Sequence, residues 1–404
     1  MNKLERLIKD FCPNGVEYKS LNNVCSIYDG THSTPKYTEN GIKFASVENI
    51  QNPFESNKFI SKDDFEKYKI KPQFGDVLMT RIGSIGVCYV VENYEPLAYY
   101  VSLALLRPNL TVLNSRYLKY AIESKNGKRE LRKRTLVNAV PIKINKDDIG
   151  KIKIPVPPLE VQGEIVRILD NFTELTAELT AELTAELTAR KKQYEYYRND
   201  LLSFNINIQH KKIKDICKNI SSGGTPNSKN QSYYGGNIPW LRTQEVDFHE
   251  IDHTDLTISE EGLANSSAKW IPANCVIIAM YGATVGKAAW NTIPLTTNQA
   301  CCNLEIDDMQ ASYKYVYYWI SNQYQFIKSL GQGSQTNINA QIVKDLDIAL
   351  PSRDIQNKIV SILDNFDSIC SDLNIGLPAE IEARQKQYEY YRDKLLSFDS
   401  IQEA

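Results

Sequence analysis

Paired cysteines, clustered histidines, long apolar runs and a charge excess of one sign are all missing from this sequence. The eight Cys show no C-x-x-C spacing, and Cys301 and Cys302 are adjacent, too close for an ordinary bridge or a two-ligand metal clip. The four His stand nowhere near a Cys at zinc-finger spacing, which argues against a structural zinc. Free, buried thiols in a reducing compartment are expected instead. The start, MNKLERLIKDF, is charged and has no apolar signal core, and no run approaches the roughly 18 apolar residues of a membrane span. A cytoplasmic protein is expected. Formal net charge is −2, so no global basic field points to nucleic acid, although local patches can act where the sum does not.

Catalytic signatures are missing too. GATVGK (282–287) resembles a phosphate loop but has three residues between its glycines where four are needed, and Ala288 stands where Ser or Thr should. A tight turn is the better reading. PVPPLE has the wrong neighbours for an adenine-methyltransferase motif. There is no dinucleotide glycine fingerprint, no G-x-S-x-G and no H-E-x-x-H. Any chemistry must therefore lie on partners.

What is present is a repeat. Ile168–Phe204 returns as Ile362–Phe398 at an ungapped offset of 194 residues, with 22 of 37 positions identical, including all of YEYYR. The first copy holds three TAEL tetrads, Thr176–Leu187. Ala, Glu and Leu favour helix. Apolar residues at 165, 168, 172, 175, 179, 183, 187, 194, 197 and 201 form one stripe with steps of mostly three and four. A helix from near Leu159 to near Phe204 would have about 46 residues and span ~69 Å. In the second copy the stripe holds at Ile369, Leu373, Leu377 and Ile381, and Gly376 and Pro378 should bend or loosen the helix in its middle. Neither helix can bury such a stripe alone, so the two are expected to lie antiparallel as a coiled-coil spacer.

Each long helix follows a variable block. In the first block, LERLIKDF reads as an amphipathic helix with Leu4, Leu7 and Ile8 on one face, followed by β-like runs at 42–50, 75–91 and 99–108 and a helix at 116–124. The second block replays this order: IPWLRTQEV (238–246) stands for IKFASVENI, residues 275–290 for the 75–91 run, and 313–323 for the helix. The scaffold is shared and the surface residues differ, which suggests one task performed on two targets. The N-terminal helix should lie near the end of the second long helix.

PVPPLEVQGEIVRIL and LPSRDIQNKIVSIL leading into long helices, GGTPN (223–227), YGATVG (281–286) and TNQACCNL (297–304) resemble the specificity subunit of type I restriction–modification enzymes, over essentially the whole chain. The TAEL tetrads are similar to those of the plasmid-borne class that varies its spacer through such repeats. The resemblance implies an α+β fold: two similar mixed α/β target-recognition domains, 1–157 and 205–351, and two spacer segments, 158–204 and 352–404, related by a pseudo-two-fold. It implies that each domain reads half of a split site on double-stranded DNA and that the helices set the gap. Two methyltransferase subunits would dock on the helices and motor–nuclease subunits would join. No cofactor is implied on this chain; S-adenosylmethionine, ATP and Mg would sit on the partners. The first block departs from the pattern, with STPKY and RIGSIG in place of the second block's motifs and no counterpart of TNQACC.

Candidate DNA-contacting residues follow from the loops. In the first block they are Ser33, Thr34 and Lys36, then Arg81 and Ser84 of the glycine-punctuated turn. The basic run after the 116–124 helix, Lys125–Arg134, adds Lys128, Arg129, Arg132, Lys133 and Arg134 as phosphate contacts. In the second block they are Thr225, Asn227, Tyr281 and Thr284, with Gln335 and Asn337 in a polar loop whose amides could bond adenine edges. Tyr194, Tyr197, Arg198, Tyr388, Tyr391 and Arg392 of the YEYYR repeats are candidates for partner docking. A non-catalytic protein-binding scaffold with two variable interaction domains is the alternative, favoured by the 24 Tyr and the near-zero net charge.

Overall fold

The computed structural model describes residues 2–32, 36–204, 208–331, 337–371 and 376–401. The chain divides into two units, residues 1–182 with 381–404, and residues 183–380. Labelled helices are α1 (Lys3–Phe11), α2 (Ser115–Glu123), α3 (Lys125–Arg134), α4 (Leu159–Leu202), α5 (Tyr313–Asn322), α6 (Tyr324–Ser329), α7 (Arg353–Ser371) and α8 (Leu377–Leu395).

In the first unit an antiparallel sheet has the order Cys25–Asp29, Leu103–Pro108, Val77–Thr80, Cys88–Val90. Its central strands are mostly apolar because both faces are covered, the exceptions being Thr80 and Arg107, which pairs with Asp76. Val77, Met79, Ala104 and Leu106 face a core shared with α2 and α4, whereas Leu78, Leu103 and Leu105 face one shared with Tyr99. A second sheet, Tyr37–Thr38, Phe59–Ile60, Ile42–Ala45 and Leu97–Tyr99, includes one parallel pair, Ile42–Ala45 with Leu97–Tyr99. The second unit repeats the plan, with Cys217–Ser222, Cys301–Ile306, Val276–Ala279 and Ala288–Asn291 in one sheet and Tyr234–Leu241 parallel to Leu295–Thr297 in the other. Cys301 and Cys302 are neighbours because they point into different cores, on opposite faces of their strand. All eight thiols are free, and burial pushes that of Cys302 up to about 12.

The long helices are tied to each unit by the same devices. Gln162 on α4 is fully buried: its oxygen accepts from Asn114 N–H at 2.8 Å and its nitrogen donates to the Pro157 and Val112 carbonyls. Gln356 on α7 likewise accepts from Ser312 N–H at 2.9 Å and donates to Pro351. Tyr120 donates to Asp170 at 2.7 Å, and Tyr318 donates to Asp364 at 2.6 Å. Burial pushes both phenols up.

Within the first unit Phe172 lies against Tyr391 at 5.8 Å, and Thr173 donates to the Tyr388 hydroxyl at 3.1 Å. Within the second, Phe366 lies against Tyr197 at 5.6 Å and Tyr194 at 6.3 Å. In the first unit rising numbers on α4 meet falling numbers on α8, so the two helices run antiparallel there. The second copy is in two helices, α7 and α8. Pro378 sits in the first turn of α8, where its missing N–H is no loss. Leu373 lies outside the described residues.

The TAEL leucines are not a uniformly buried stripe. Leu179, Leu183 and Leu187 are half-buried and Leu175 is 59 % exposed. A four-residue step turns the helix 400°, so each tetrad carries its leucine about 40° further round, yet the three tetrad leucines are alike half-buried and the more exposed Leu175 precedes the tetrads. The N-terminal helix meets the end of α8 as expected. Leu4, Leu7 and Ile8 share a core with Leu395, Leu396 and Phe398, and Val16 N–H donates to the Asp399 carbonyl at 2.8 Å.

Candidate nucleic-acid interface

In both units the hairpin turn between two neighbouring strands, Val77–Thr80 and Cys88–Val90 in the first and Val276–Ala279 and Ala288–Asn291 in the second, carries two left-handed glycines, Gly83 and Gly86 in the first and Gly282 and Gly286 in the second. Gly86 has a second reason to lack a side chain, since a Cβ there would stand 2.4 Å from Leu131 of α3. Ser84 is exposed on this turn.

Arg81 is a correction. Its side chain is not presented to a ligand: the residue is 8 % exposed, ion-paired to Asp29, and its Nε donates to the Ile144 carbonyl at 3.2 Å. A guanidinium held on both sides inside the domain positions the backbone around it. The arginine looked available because its half-buried partner, Asp29, lies 52 residues upstream.

The basic run is itself a helix, α3, capped by Ser124, whose hydroxyl accepts from Gly127 N–H. Gly127 permits the sharp corner after α2, because a Cβ would fall 2.2 Å from the Ala121 carbonyl oxygen. Leu131 is buried and Lys128, Arg129, Arg132 and Lys133 are exposed. Glu130 binds Lys133 and Arg134 at 2.7 and 2.8 Å. Lys128, Arg129 and Arg132 form no ion pair among the described residues.

Lys36 is exposed and lines a cleft of about 920 Å³ with Tyr28, His32, Lys67, Lys69 and Lys146. The sequence reading missed those last three lysines; the cleft gathers them from two separate segments beside Lys36. Ser33 and Thr34 lie outside the described residues.

In the second unit Thr225 donates to the side-chain oxygen of Gln299, which joins the GGTPN and TNQACC segments. Asn227 is exposed. The Thr284 hydroxyl donates to the Thr243 carbonyl at 2.6 Å, tying the glycine turn to the Arg242–Glu245 loop, so its side chain is engaged internally. Tyr281 is exposed beside it. Ile338 N–H donates to Met280 at 3.0 Å, which brings Asn337 to the same edge. The buried Asn337 carboxamide oxygen has no partner among the described residues. Gln335 lies outside them. The structure thus gathers Thr225, Tyr281, Thr284 and Asn337 together. It adds Arg242 and Gln244, whose carboxamide oxygen accepts from Arg242 Nη2 at 2.7 Å. Their counterparts by block alignment, Ser46 and Glu48, gave no signal by themselves.

The YEYYR side chains divide by face. Tyr194 packs on Phe366 and its phenol is pushed up to about 12 by burial. Tyr197 stacks on Phe366 and Tyr391 packs tilted against Phe172, both while remaining partly open. Tyr388 is half-buried, and Arg198 donates to Asn322 at 3.2 Å. Arg392 is a further correction. It is 6 % exposed and bonds Asp393, so it is not available at the surface. The outward members are Tyr196 and Tyr390, which the sequence reading passed over. Two positions on from Tyr194 and Tyr388 is about 200° round the helix, and that spacing would have marked them.

Among the described residues no group of three His, Cys, Asp or Glu side chains is placed to hold a metal, and no helix is long and apolar enough to cross a membrane.

The model of the type I restriction modification DNA specificity domain matches twice, at residues 13–189 and 205–383. The specificity subunit of the Escherichia coli type I restriction enzyme EcoR124I/EcoR124II is 40% identical over 262 residues, 61% of this chain and 63% of that one. The chain therefore spans less than two thirds of that relative. A putative type I specificity subunit of Haemophilus influenzae is 31% identical over 98% of both chains. Among solved structures, a chain from work on the assembly and conformational transition of a type I restriction–modification system superposes with TM-score 0.70 at 16% identity, covering 95% of this chain and 98% of that one. The HsdS subunit of Thermoanaerobacter tengcongensis gives 0.56 at 14% identity, covering 96% of each. The chain belongs to the type I restriction–modification DNA specificity family: it is the non-catalytic specificity subunit of such a system, with two target-recognition domains.

Proposed function

We propose that each target-recognition domain reads one half of a bipartite, asymmetric DNA site. The observation that carries this is a shared frame with unlike loops. At equivalent edges the first domain offers lysines and a basic helix, and the second offers Thr225, Arg242, Gln244, Tyr281 and Asn337. Identical readers would call for a palindrome; unlike ones call for two different half-sites. The antiparallel helices set the gap between halves and dock two methyltransferase subunits, with Tyr196 and Tyr390 as outward aromatic anchors. Motor–nuclease subunits join through that complex. S-adenosylmethionine, ATP and Mg belong to those partners, and the assembly works in the cytoplasm. The TAEL tetrads support membership of the plasmid-borne class with a variable spacer.

Inserting one tetrad tests this reading. Four residues add ~6 Å of helix and ~40° of rotation. At ~3.4 Å per base pair, the gap should widen by about one or two base pairs while the bases read in each half stay the same. Sequencing methylated adenines in cells carrying the system measures both. Altered bases with an unchanged gap would overturn it.

A further inference from the structure

Directly after α3 the first target-recognition domain carries a prong that its own fold does not cover. Leu136, Val137, Val140 and Ile142 are 43, 68, 99 and 41 % exposed within seven residues. Scattered surface apolar residues need no explanation, but four aliphatic side chains on one short loop do. The prong is also fastened. Leu136 N–H donates to the Lys143 carbonyl at 2.8 Å, and Gly83 N–H to the Ile142 carbonyl at 2.9 Å. Its base is held by Arg81, whose backbone N–H and C=O bond Ser102 and Ile144 while its side chain bonds the Ile144 carbonyl and pairs with Asp29. The buried arginine is therefore a positioning residue for the prong.

The surroundings of the prong say what covers it. Residues 125–146 contain eight Lys and Arg against one carboxylate, Glu130, which Lys133 and Arg134 already occupy. Lys128, Arg129, Arg132 and Lys143 are exposed. An apolar tip on so cationic a footing complements a polyanion whose interior is apolar. Cations meet phosphates, and aliphatic side chains meet base edges, thymine methyls or an opened base step. We infer that residues 136–142 enter a groove of the duplex at the first half-site and contact bases through their aliphatic side chains. The equivalent stretch of the second domain, 331–339, reads GQGSQTNIN and has no exposed aliphatic residue among those described. The contact would then belong to the first half-site alone.

This rests on the half-site reading above, and the two can fail separately. The test uses the full chain in complex with its methyltransferase subunits and duplexes carrying the methylated site or single changes in either half. The tip variant Val137→Ser with Val140→Ser alters only exposed side chains. It should weaken specific binding about tenfold, the loss of apolar area from two valines. Discrimination should relax at the first half-site and stay intact at the second. Apolar contacts release no counterions, so the slope of affinity against salt should not change. Arg129→Ala with Arg132→Ala should instead lower that slope by about 1.8. Wild-type affinity and discrimination in the tip variant would overturn the inference. So would dissociation of a methyltransferase subunit from it, which would make the prong a protein-docking element. A tetrad insertion that leaves the gap unchanged would strike the half-site reading and not the prong.

Discussion

The two target-recognition domains are most alike where nothing external touches them and least alike where something must. Gln162 and Gln356, Tyr120 and Tyr318, and Asp170 and Asp364 make corresponding bonds in the same places, Gln162 with one more, to the Val112 carbonyl. At the loop edge the likeness stops. The first glycine turn has two residues between its glycines and the second has three, with Thr284 taking the extra place and tying down the next loop. After the paired short helices, the first domain raises an aliphatic prong, whereas the second carries the polar sequence GQGSQTNIN (331–339). What holds the blocks to the helices was kept, and what faces a target was varied.

Because the buried ties correspond, breaking either should destabilise its own unit. Gln162→Ala strands a buried N–H and two carbonyls and should destabilise the first unit by about 3 kcal/mol, and Gln356→Ala, which strands an N–H and one carbonyl, should cost the second about 2 kcal/mol. Hydrogen exchange, which resolves the units separately, should show lost protection confined to the mutated one. A loss in only one of the two variants, or losses spread over both units, would break the comparison.

A smaller effect should mark where the units differ. Glu164 of α4 is buried and paired with Arg167 and Lys3, which hold its carboxyl down at about 2 against an ordinary 4.5, whereas its counterpart by the 194-residue offset is the exposed Lys358. A lowered carboxyl contributes stability that is complete above its unfolded value and lost as pH falls toward its folded one. Glu164→Gln should therefore destabilise the first unit by about 1 kcal/mol above pH ~5. That gap should close as acid titrates the wild type from about 4.5 toward 2, with the second unit unchanged. The smallest effect should come from Thr284→Val. Freed from Thr243, the longer turn should lose about three- to tenfold in affinity at the second half-site, the worth of one hydrogen bond, with first half-site discrimination unaffected.

The frame was readable because it is written in period and repetition. The 194-residue offset, the proline-marked helix starts and the matching apolar runs all survive in one sequence without any partner for comparison. Side-chain roles were less readable because they depend on contacts between distant segments. Arg81 looked like a surface cation until Asp29, 52 residues away, appeared beside it, and Arg392 until its place on α8 proved buried. Lys67, Lys69 and Lys146 carried no motif, and only folding gathers them with Lys36. The prong was hidden because VNAVPIK reads as an ordinary loop whose exposure no pattern discloses.

The slow winding of the TAEL leucines has an outcome for the evolution of this chain. Because every added tetrad swings its leucine about 40° further round, a few more copies would turn that residue out of the seam and into water. Lengthening by duplication is thus easy at first and self-limiting. Gene copies that slip and expand the tract should stall at a small number of units unless another residue type takes over the facing positions.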